Sequence, residues 1–458
     1  MNAKVILAGL ILGGLLVVGI GCQAADPPPA ADLMFCANQA VFSITLGNDG
    51  KTEMRKVVDL PEDATCPVWS PDGKFAVLYR YRQLEPFVQE DSLSLIDRQT
   101  GTIHEVYRFG PSDNEWTIHW LPEGVELLLA SARDELKQDN AKCDPDVRSF
   151  NHIRGLFCWA AYADFYQSRL SLQKGLEGFE RLTDSSTLRC SLEWSPDGSQ
   201  LAFAHGSMCS EGVGEEGNIS VLDLNKRTVS VVVDAAAYLA EHRGGSDRNE
   251  AVSWSPNGKR LAISSYQYDG VTHTSRINIA DSVGVHPIVS EQASWIDWLP
   301  DGKELLWFNG GLGVADIESG TVQTLPISLD PRQSIDNSVL SPDGRYLTWR
   351  ETFGQDKTRQ IRIFDFAEGT ASTVLNILPG TLVWSPDSQM LAFPVKTRLN
   401  PNTCDYQIDI YVVKPDASGL RNLTEGQPKR ALSCSFSGGM GWRWYGRFVK
   451  DVQWVTRN

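Results

Sequence analysis

Trp194-Ser195-Pro196-Asp197-Gly198, followed at once by Ser199-Gln200-Leu201-Ala202-Phe203, reads as a tight turn feeding a short apolar strand. Proline presets φ at about −65° at the first corner, aspartate accepts local backbone hydrogen bonds, and glycine takes the left-handed position that closes the hairpin. The pattern recurs at Trp69-Ser70-Pro71-Asp72-Gly73, Trp120-Leu121-Pro122-Glu123-Gly124, Trp254-Ser255-Pro256-Asn257-Gly258, Trp298-Leu299-Pro300-Asp301-Gly302, Leu340-Ser341-Pro342-Asp343-Gly344 and Trp384-Ser385-Pro386-Asp387-Ser388. Seven copies are too many for coincidence. The proline-to-proline steps are 51, 74, 60, 44, 42 and 44 residues. A unit of about 42–44 residues therefore carries insertions in its early copies, and that period is the one a four-stranded propeller blade requires.

Strands fill the rest of each unit. Phe75-Ala76-Val77-Leu78, Leu261-Ala262-Ile263 and Leu391-Ala392-Phe393 follow their turns and are apolar enough to be buried between neighbouring sheets. A third strand alternates, as in Leu93-Ser94-Leu95-Ile96, Ile219-Ser220-Val221-Leu222, Ile361-Arg362-Ile363-Phe364 and Ile408-Asp409-Ile410-Tyr411, and a fourth follows a short turn. The tryptophan ahead of the turn, repeated almost everywhere, reads as packing between sheets rather than as a ligand platform. Before the first copy, Val41–Thr45 and Met54–Leu60 look like a third and fourth strand without their partners. After the last, Trp442–Val449 and Val452–Val455 look like a first and second. Joining the two halves would close the ring by a two-plus-two clasp with no open edge. The expected fold is all-β: a single β-propeller of eight four-stranded blades with a composite N/C-terminal blade, seven blades being the alternative.

These hairpins, with Ile410-Tyr411-Val412-Val413 and Gly419-Leu420-Arg421-Asn422-Leu423-Thr424, resemble the TolB-like propeller repeats of bacterial envelope proteins over roughly residues 36–458. The resemblance is specific for fold and unspecific for function, because such repeats serve envelope scaffolds, relatives of prolyl oligopeptidase and some lyases. TolB has an α/β domain ahead of its ring, for which there is no room between Cys22 and the first strand, so its partnership is not carried over.

The leader names an address. Met1-Asn2-Ala3-Lys4, the apolar run Val5 to Ile20 and Gly21-Cys22 form a secretory signal pattern, too short and glycine-rich for a spanning helix. Gly-Cys resembles the lipobox of bacterial lipoproteins, with Gly19 departing from it. Residues 1–21 are thus read as a signal peptide, Cys22 as the lipid attachment and 22–35 as a Pro/Ala-rich tether. Secretion after Ala24 and an uncleaved anchor are the alternatives. The destination would be extracytoplasmic, periplasm or cell surface, held to the membrane by lipid.

Eight further cysteines, Cys36, Cys66, Cys143, Cys158, Cys190, Cys209, Cys404 and Cys434, form an even set that points to disulfides in an exported chain. The separation of 30 residues occurs twice in the same strand context, giving Cys36–Cys66 and Cys404–Cys434. For the rest, Cys143–Cys158 with Cys190–Cys209 is preferred, and Cys158–Cys190 with Cys143–Cys209 is the rival.

In a propeller the first-to-second and third-to-fourth turns share one face. Here they are uniformly short. The large insertions, Ser131–Asp164, His205–Asn218, Asp234–Glu250, Glu351–Arg359 and Glu425–Met440, all fall on the other face, as do the cysteines. Variable loops on a rigid scaffold are where binding is usually built. Arg148, His152, Arg154 and Trp159 in the first insertion, with His205, His242 and Arg243, are the candidate binding residues. Asp234 to Arg243 resembles a short helix.

Chemistry is harder to find. There are 42 Lys plus Arg against 57 Asp plus Glu, a net charge of −15, which argues against nucleic acid. No Gly-x-Ser-x-Gly elbow, phosphate loop, dinucleotide fingerprint or paired-histidine metal spacing is present. No catalytic residue, metal or cofactor is therefore assigned. The leading expectation is a non-catalytic, lipid-anchored, monomeric ring binding an envelope protein or glycan through its variable face. The alternative is a polysaccharide lyase or hydrolase with its site at the channel mouth.

Overall fold

The computed structural model describes residues 31–425 and 452–456 apart from 38, 47–51, 71, 86–87, 109–113, 121–125, 133–163, 172–174, 183–188, 206–217, 234–245, 269–272, 291–292, 294, 309–310, 326, 328–332, 354–357, 377–379 and 399–405. These residues form eight four-stranded antiparallel sheets. The first joins β1 (Ala31–Ala37), β2 (Ala40–Leu46) and β3 (Thr52–Asp59) to the last strand of the chain.

The other seven are meanders in simple sequence order. The second holds β4 (Val68–Trp69), β5 (Phe75–Glu85), β6 (Val88–Asp97) and β7 (Ile103–Arg108). The third holds β8 (Asn114–Trp120), β9 (Glu126–Ala132), β10 (Asp164–Ser171) and β11 (Gly175–Arg181). The fourth holds β12 (Arg189–Trp194), β13 (Gln200–His205), β14 (Asn218–Asp223) and β15 (Thr228–Val233). The fifth holds β16 (Ser246–Trp254), β17 (Leu261–Tyr268), β18 (His273–Ala280) and β19 (Val285–Val289). The sixth holds β20 (Trp295–Trp298), β21 (Glu304–Phe308), β22 (Leu312–Asp316) and β23 (Val322–Thr324). The seventh holds β24 (Gln333–Leu340), β25 (Tyr346–Phe353), β26 (Thr358–Asp365) and β27 (Thr370–Asn376). The eighth holds β28 (Val383–Trp384), β29 (Leu391–Arg398), β30 (Tyr406–Val413) and β31 (Arg421–Asn422), and β32 (Val452–Thr456) completes the first sheet.

Two compact units divide these sheets. One takes the seventh, eighth and first sheets. Its core runs through Ile361, Val374, Trp384 and Phe393 between the seventh and eighth, and through Ile408, Ile410, Leu33, Phe35 and Val452 between the eighth and first. The other takes the second to sixth sheets. Here Trp120 packs on Val77, Leu93 and Leu95, Ile219 and Val221 on Leu261 and Ile263, and Ile277 and Ile279 on Trp298 and Leu305.

The turn motif has a hub that the proline-and-glycine reading does not contain. Ser70 Oγ donates to Asp72 Oδ1 at 2.7 Å and accepts from Phe75 N at 3.1 Å, and the buried serines Ser195, Ser255, Ser341 and Ser385 repeat this arrangement. Gly73, Gly198, Gly258, Gly302 and Gly344 hold φ between 66° and 72°, as the turn demands. Ser388 takes the same position at φ 58° without being glycine, and its Oγ accepts from Asp343 N at 3.1 Å, so the departure is tied to a bond between the seventh and eighth sheets.

Four expectations change. The clasp is three-plus-one: β1 pairs with β32, Leu33 opposite Trp454, so Val452–Val455 forms a first strand and not a second. Leu33, Met34, Phe35 and Cys36 are all buried, and the strand begins at Ala31, inside the stretch read as tether to residue 35. The strand expected at Trp442–Val449 lies outside the described residues. The Glu351–Arg359 insertion is mostly a lengthened hairpin, paired to Phe353 opposite Thr358. Its polar run tolerates pairing because the buried Glu351 accepts from Trp349 Nε1 at 2.8 Å and Gln360 Nε2 at 2.6 Å. Likewise the Asp234–Glu250 connection turns into strand from Ser246, and the helix expected over Asp234–Arg243 lies outside the described residues.

One contact between strands of the sixth sheet makes a sharp prediction. A methyl group added to Gly313 would sit 2.2 Å from Trp307 Cε2, and Trp307 is buried. Gly313→Ala is expected to cost about 1–3 kcal/mol or more, because the indole must move within a packed core. Urea unfolding followed by circular dichroism checks it.

Candidate functional site

The first strands of neighbouring sheets in the larger unit lie against one another, β12 beside β16 and β16 beside β20. They are fastened by the motif tryptophans. Trp254 Nε1 donates to Glu193 O at 3.1 Å and Trp298 Nε1 to Ser253 O at 3.0 Å, while Trp120 Nε1 reaches Val68 O at 2.8 Å. In the smaller unit Trp454 Nε1 donates to Val383 O at 3.3 Å. Trp384 reaches its acceptor in two steps, through Thr348 Oγ1, which donates to Val339 O at 3.0 Å. Each acceptor is the residue just before the motif's first position in the preceding sheet.

That same position sets which side chains form a row along the inner strands. Across β12, β16 and β20 it holds Glu193, Ser253 and Asp297. Ser253 Oγ donates to Asp297 Oδ1 at 3.2 Å, and Trp298 N donates to the same oxygen at 2.8 Å. Glu193 is exposed on its strand. The strands around it and the charge of Asp297 push its carboxyl upward, an effect that its contact with water limits. Burial also raises Asp297, against the lowering effect of the Trp298 amide and the Ser253 hydroxyl. The two acids stand on strands separated by β16, near enough for the charge of Asp297 to act on Glu193, and a carboxyl so raised can exchange a proton with a bound group.

The sequence did not single out this row. The signal was available in the column of residues ahead of the tryptophans, where Glu193, Ser253 and Asp297 stand in consecutive copies and His119 occupies the place in the copy before them.

Of the expected binding residues only His205 is among those described. Arg148, His152, Arg154, Trp159, His242 and Arg243 lie outside the described residues, as do Cys22, Cys143, Cys158, Cys209, Cys404 and Cys434. His205 ends β13, paired with Asn218, and Cys190 lies in β12. The insertions spring from paired bases, Ser131 opposite Asp164 and His205 opposite Asn218, at the end of their sheets remote from the tight turns. Cys36 and Cys66 are each held in a disulfide, which suits an oxidising compartment outside the cytoplasm. Among the described residues no group of three or more His, Cys, Asp and Glu side chains is arranged to hold a metal. Asn422, part of a glycosylation-type sequon, spends its amide on Asp409 at 2.9 Å, inside a network with Thr424 and Gln407.

No protein-family model matches the chain, and no curated protein matches its sequence. Among solved structures, dipeptidyl peptidase 4 of Porphyromonas gingivalis superposes with a TM-score of 0.54 at 9% identity, over 92% of this chain and 62% of that one. TolB from Acinetobacter baumannii is similar at a TM-score of 0.36 and 16% identity, covering 84% of this chain and 83% of its own. An oligogalacturonate lyase from Vibrio parahaemolyticus stands at 0.45 and 12%, covering 79% and 85%. At such identities likeness concerns fold alone. The superposition on the peptidase, with the repeated four-stranded meanders, supports the β-propeller class.

Proposed function

We propose that the chain is an extracytoplasmic binding or scaffold protein whose eight sheets make a single ring, held to the membrane through a lipid on Cys22. In this reading residues 1–21 are the signal peptide, the ring begins with the strand that opens at Ala31, and the loops remote from the tight turns bind a protein or glycan of the cell envelope. The observation that carries it is the asymmetry of the sheet ends. One end is made of near-identical turns locked by their own serine and aspartate side chains, which leaves little to vary, while the other end sends out the long insertions. The pairs Cys36–Cys66, Cys404–Cys434, Cys143–Cys158 and Cys190–Cys209 would staple those loops, each worth about 3 kcal/mol in the loop-entropy account. Replacing Arg148, His152, Arg154 and Trp159 together by alanine is expected to abolish retention of the full chain on envelope fractions. Retention unchanged by the replacement contradicts the reading.

A second reading has its own support. The carboxyls of Glu193 and Asp297, on the first strands of the fourth and sixth sheets and both pushed upward, suit acid–base work on a polysaccharide, as in a lyase or hydrolase. Cleavage of envelope or plant-type polysaccharides that vanishes in Glu193→Gln and in Asp297→Asn would establish it, and cleavage that survives both would end it.

A further inference from the structure

We propose that the tight-turn end of the smaller unit faces the lipid surface of the membrane, so that the lengthened connections of that unit point away from it. The proposal rests on the lipid at Cys22 set out above and adds the direction in which the unit is displayed.

β1 fixes where the chain enters the fold. Ala31 lies opposite Thr456 and Leu33 opposite Trp454. Trp454 holds the place of a motif tryptophan, because its Nε1 donates to Val383 O as Trp298 Nε1 does to Ser253 O. Thr456 therefore stands where Pro386 follows Trp384 in the eighth sheet, and Ala31 beside it lies at the turn end. The same end of the first sheet carries the β2–β3 connection, whose base pairs Leu46 with Thr52. In the seventh and eighth sheets this end is made by turns that touch each other, Asp343 N donating to Ser388 Oγ at 3.1 Å.

The point of entry is held. Asp32 is buried and accepts from Thr45 Oγ1 at 2.7 Å, and Leu33 to Cys36 are buried behind it. The chain thus leaves for the lipid from a fixed place at the start of the strand.

Length then sets the direction. From Cys22 to Ala31 is nine residue steps, a reach of at most about 30 Å when fully extended. β1 has seven residues, which span about 20 Å. To bring the far end of the unit to the lipid, the tether would have to run back along the whole strand, keeping only about 10 Å for everything beyond it. At that far end the hairpin of the seventh sheet reaches Phe353 opposite Thr358, and that of the eighth reaches Arg398 opposite Tyr406, each with its connection still to follow. With the turn end towards the lipid, the tether runs straight from the membrane to Ala31. Charge does not supply this direction. The turn end exposes Asp343, Glu368, Asp387 and Asp416 beside the cations Arg345 and Lys414, so an anionic headgroup layer repels it and the tether brings it near.

Energy transfer tests the direction on the processed chain, carrying its lipid and seated in phosphatidylcholine vesicles that hold a headgroup-labelled acceptor lipid. A donor dye is placed through an unnatural residue at Gln389, in the turn of the eighth sheet, or at Thr397, near the far end of β29; both positions are exposed. Transfer from Gln389 should exceed that from Thr397 about twofold or more, for a separation of about 20 Å along the strand. A Gly-Ser stretch that triples the length of the tether should bring the two values together. Equal transfer from both positions, or stronger transfer from Thr397, in a chain whose Cys22 carries lipid by mass spectrometry, overturns the proposal and leaves the anchor standing. A processed chain without lipid on Cys22 removes the anchor itself, and the direction falls with it.

Discussion

Removal of residues 452–458 should unfold the smaller unit or drive it into aggregates. β32 is the only partner on one side of β1, and it enters the core with Val452 and Val455, each worth about 1.5–3 kcal/mol when buried. The deletion also frees Val383 O from Trp454 and opens β1 as an edge carrying the apolar run Leu33–Cys36, a template for pairing with other chains. Circular dichroism and size-exclusion chromatography should show lost strand signal and large species, and a peptide of residues 450–458 added during refolding should restore part of the monomer. A shortened chain that unfolds at the parental midpoint would mean that the sheet does not need its last strand.

The second large effect is expected at Trp298, which lies in the core shared by the fifth and sixth sheets and is buried. Trp298→Ala removes a large side chain at a site that cannot collapse around it, a loss of about 3–5 kcal/mol. Against a typical total of about 5–15 kcal/mol, this brings the fold close to its limit. Trp298→Phe separates the contributions: it keeps most of the apolar contact and strands Ser253 O without its donor, at about 1–3 kcal/mol. Urea midpoints for both variants check the order. A phenylalanine variant as unstable as the alanine one would place the stabilisation in the hydrogen bond rather than the packing.

The repeat was legible because each copy of the turn carries its chemistry locally, in four or five consecutive residues. Third strands such as Ile361–Phe364 and Ile408–Tyr411 were legible by alternation, and they lie within β26 and β30. What escaped depends on neighbours distant in sequence. β1 is buried on both faces and so shows no alternation, and its first residues follow a proline-rich stretch. Trp454 does the work of a motif tryptophan with no motif after it, and Trp384 reaches its usual acceptor only through Thr348. The tryptophans were read as packing, correctly, but their N–H bonds to the preceding sheet could not be seen without the register. The Glu193–Ser253–Asp297 row escaped for the same reason: three residues over a hundred positions become neighbours only once three sheets stand side by side.

The most direct test of the binding account is to ask which end of the sheets touches a partner. A photo-crosslinking residue placed at His152 or Arg243 in the long insertions, and at Lys226 or Lys259 in the tight turns, can be activated on the full chain in envelope preparations. The account predicts one discrete adduct, protein or glycan, from the insertion positions and none from the turns. Adducts formed from Lys226 or Lys259 and absent from His152 and Arg243 would contradict it.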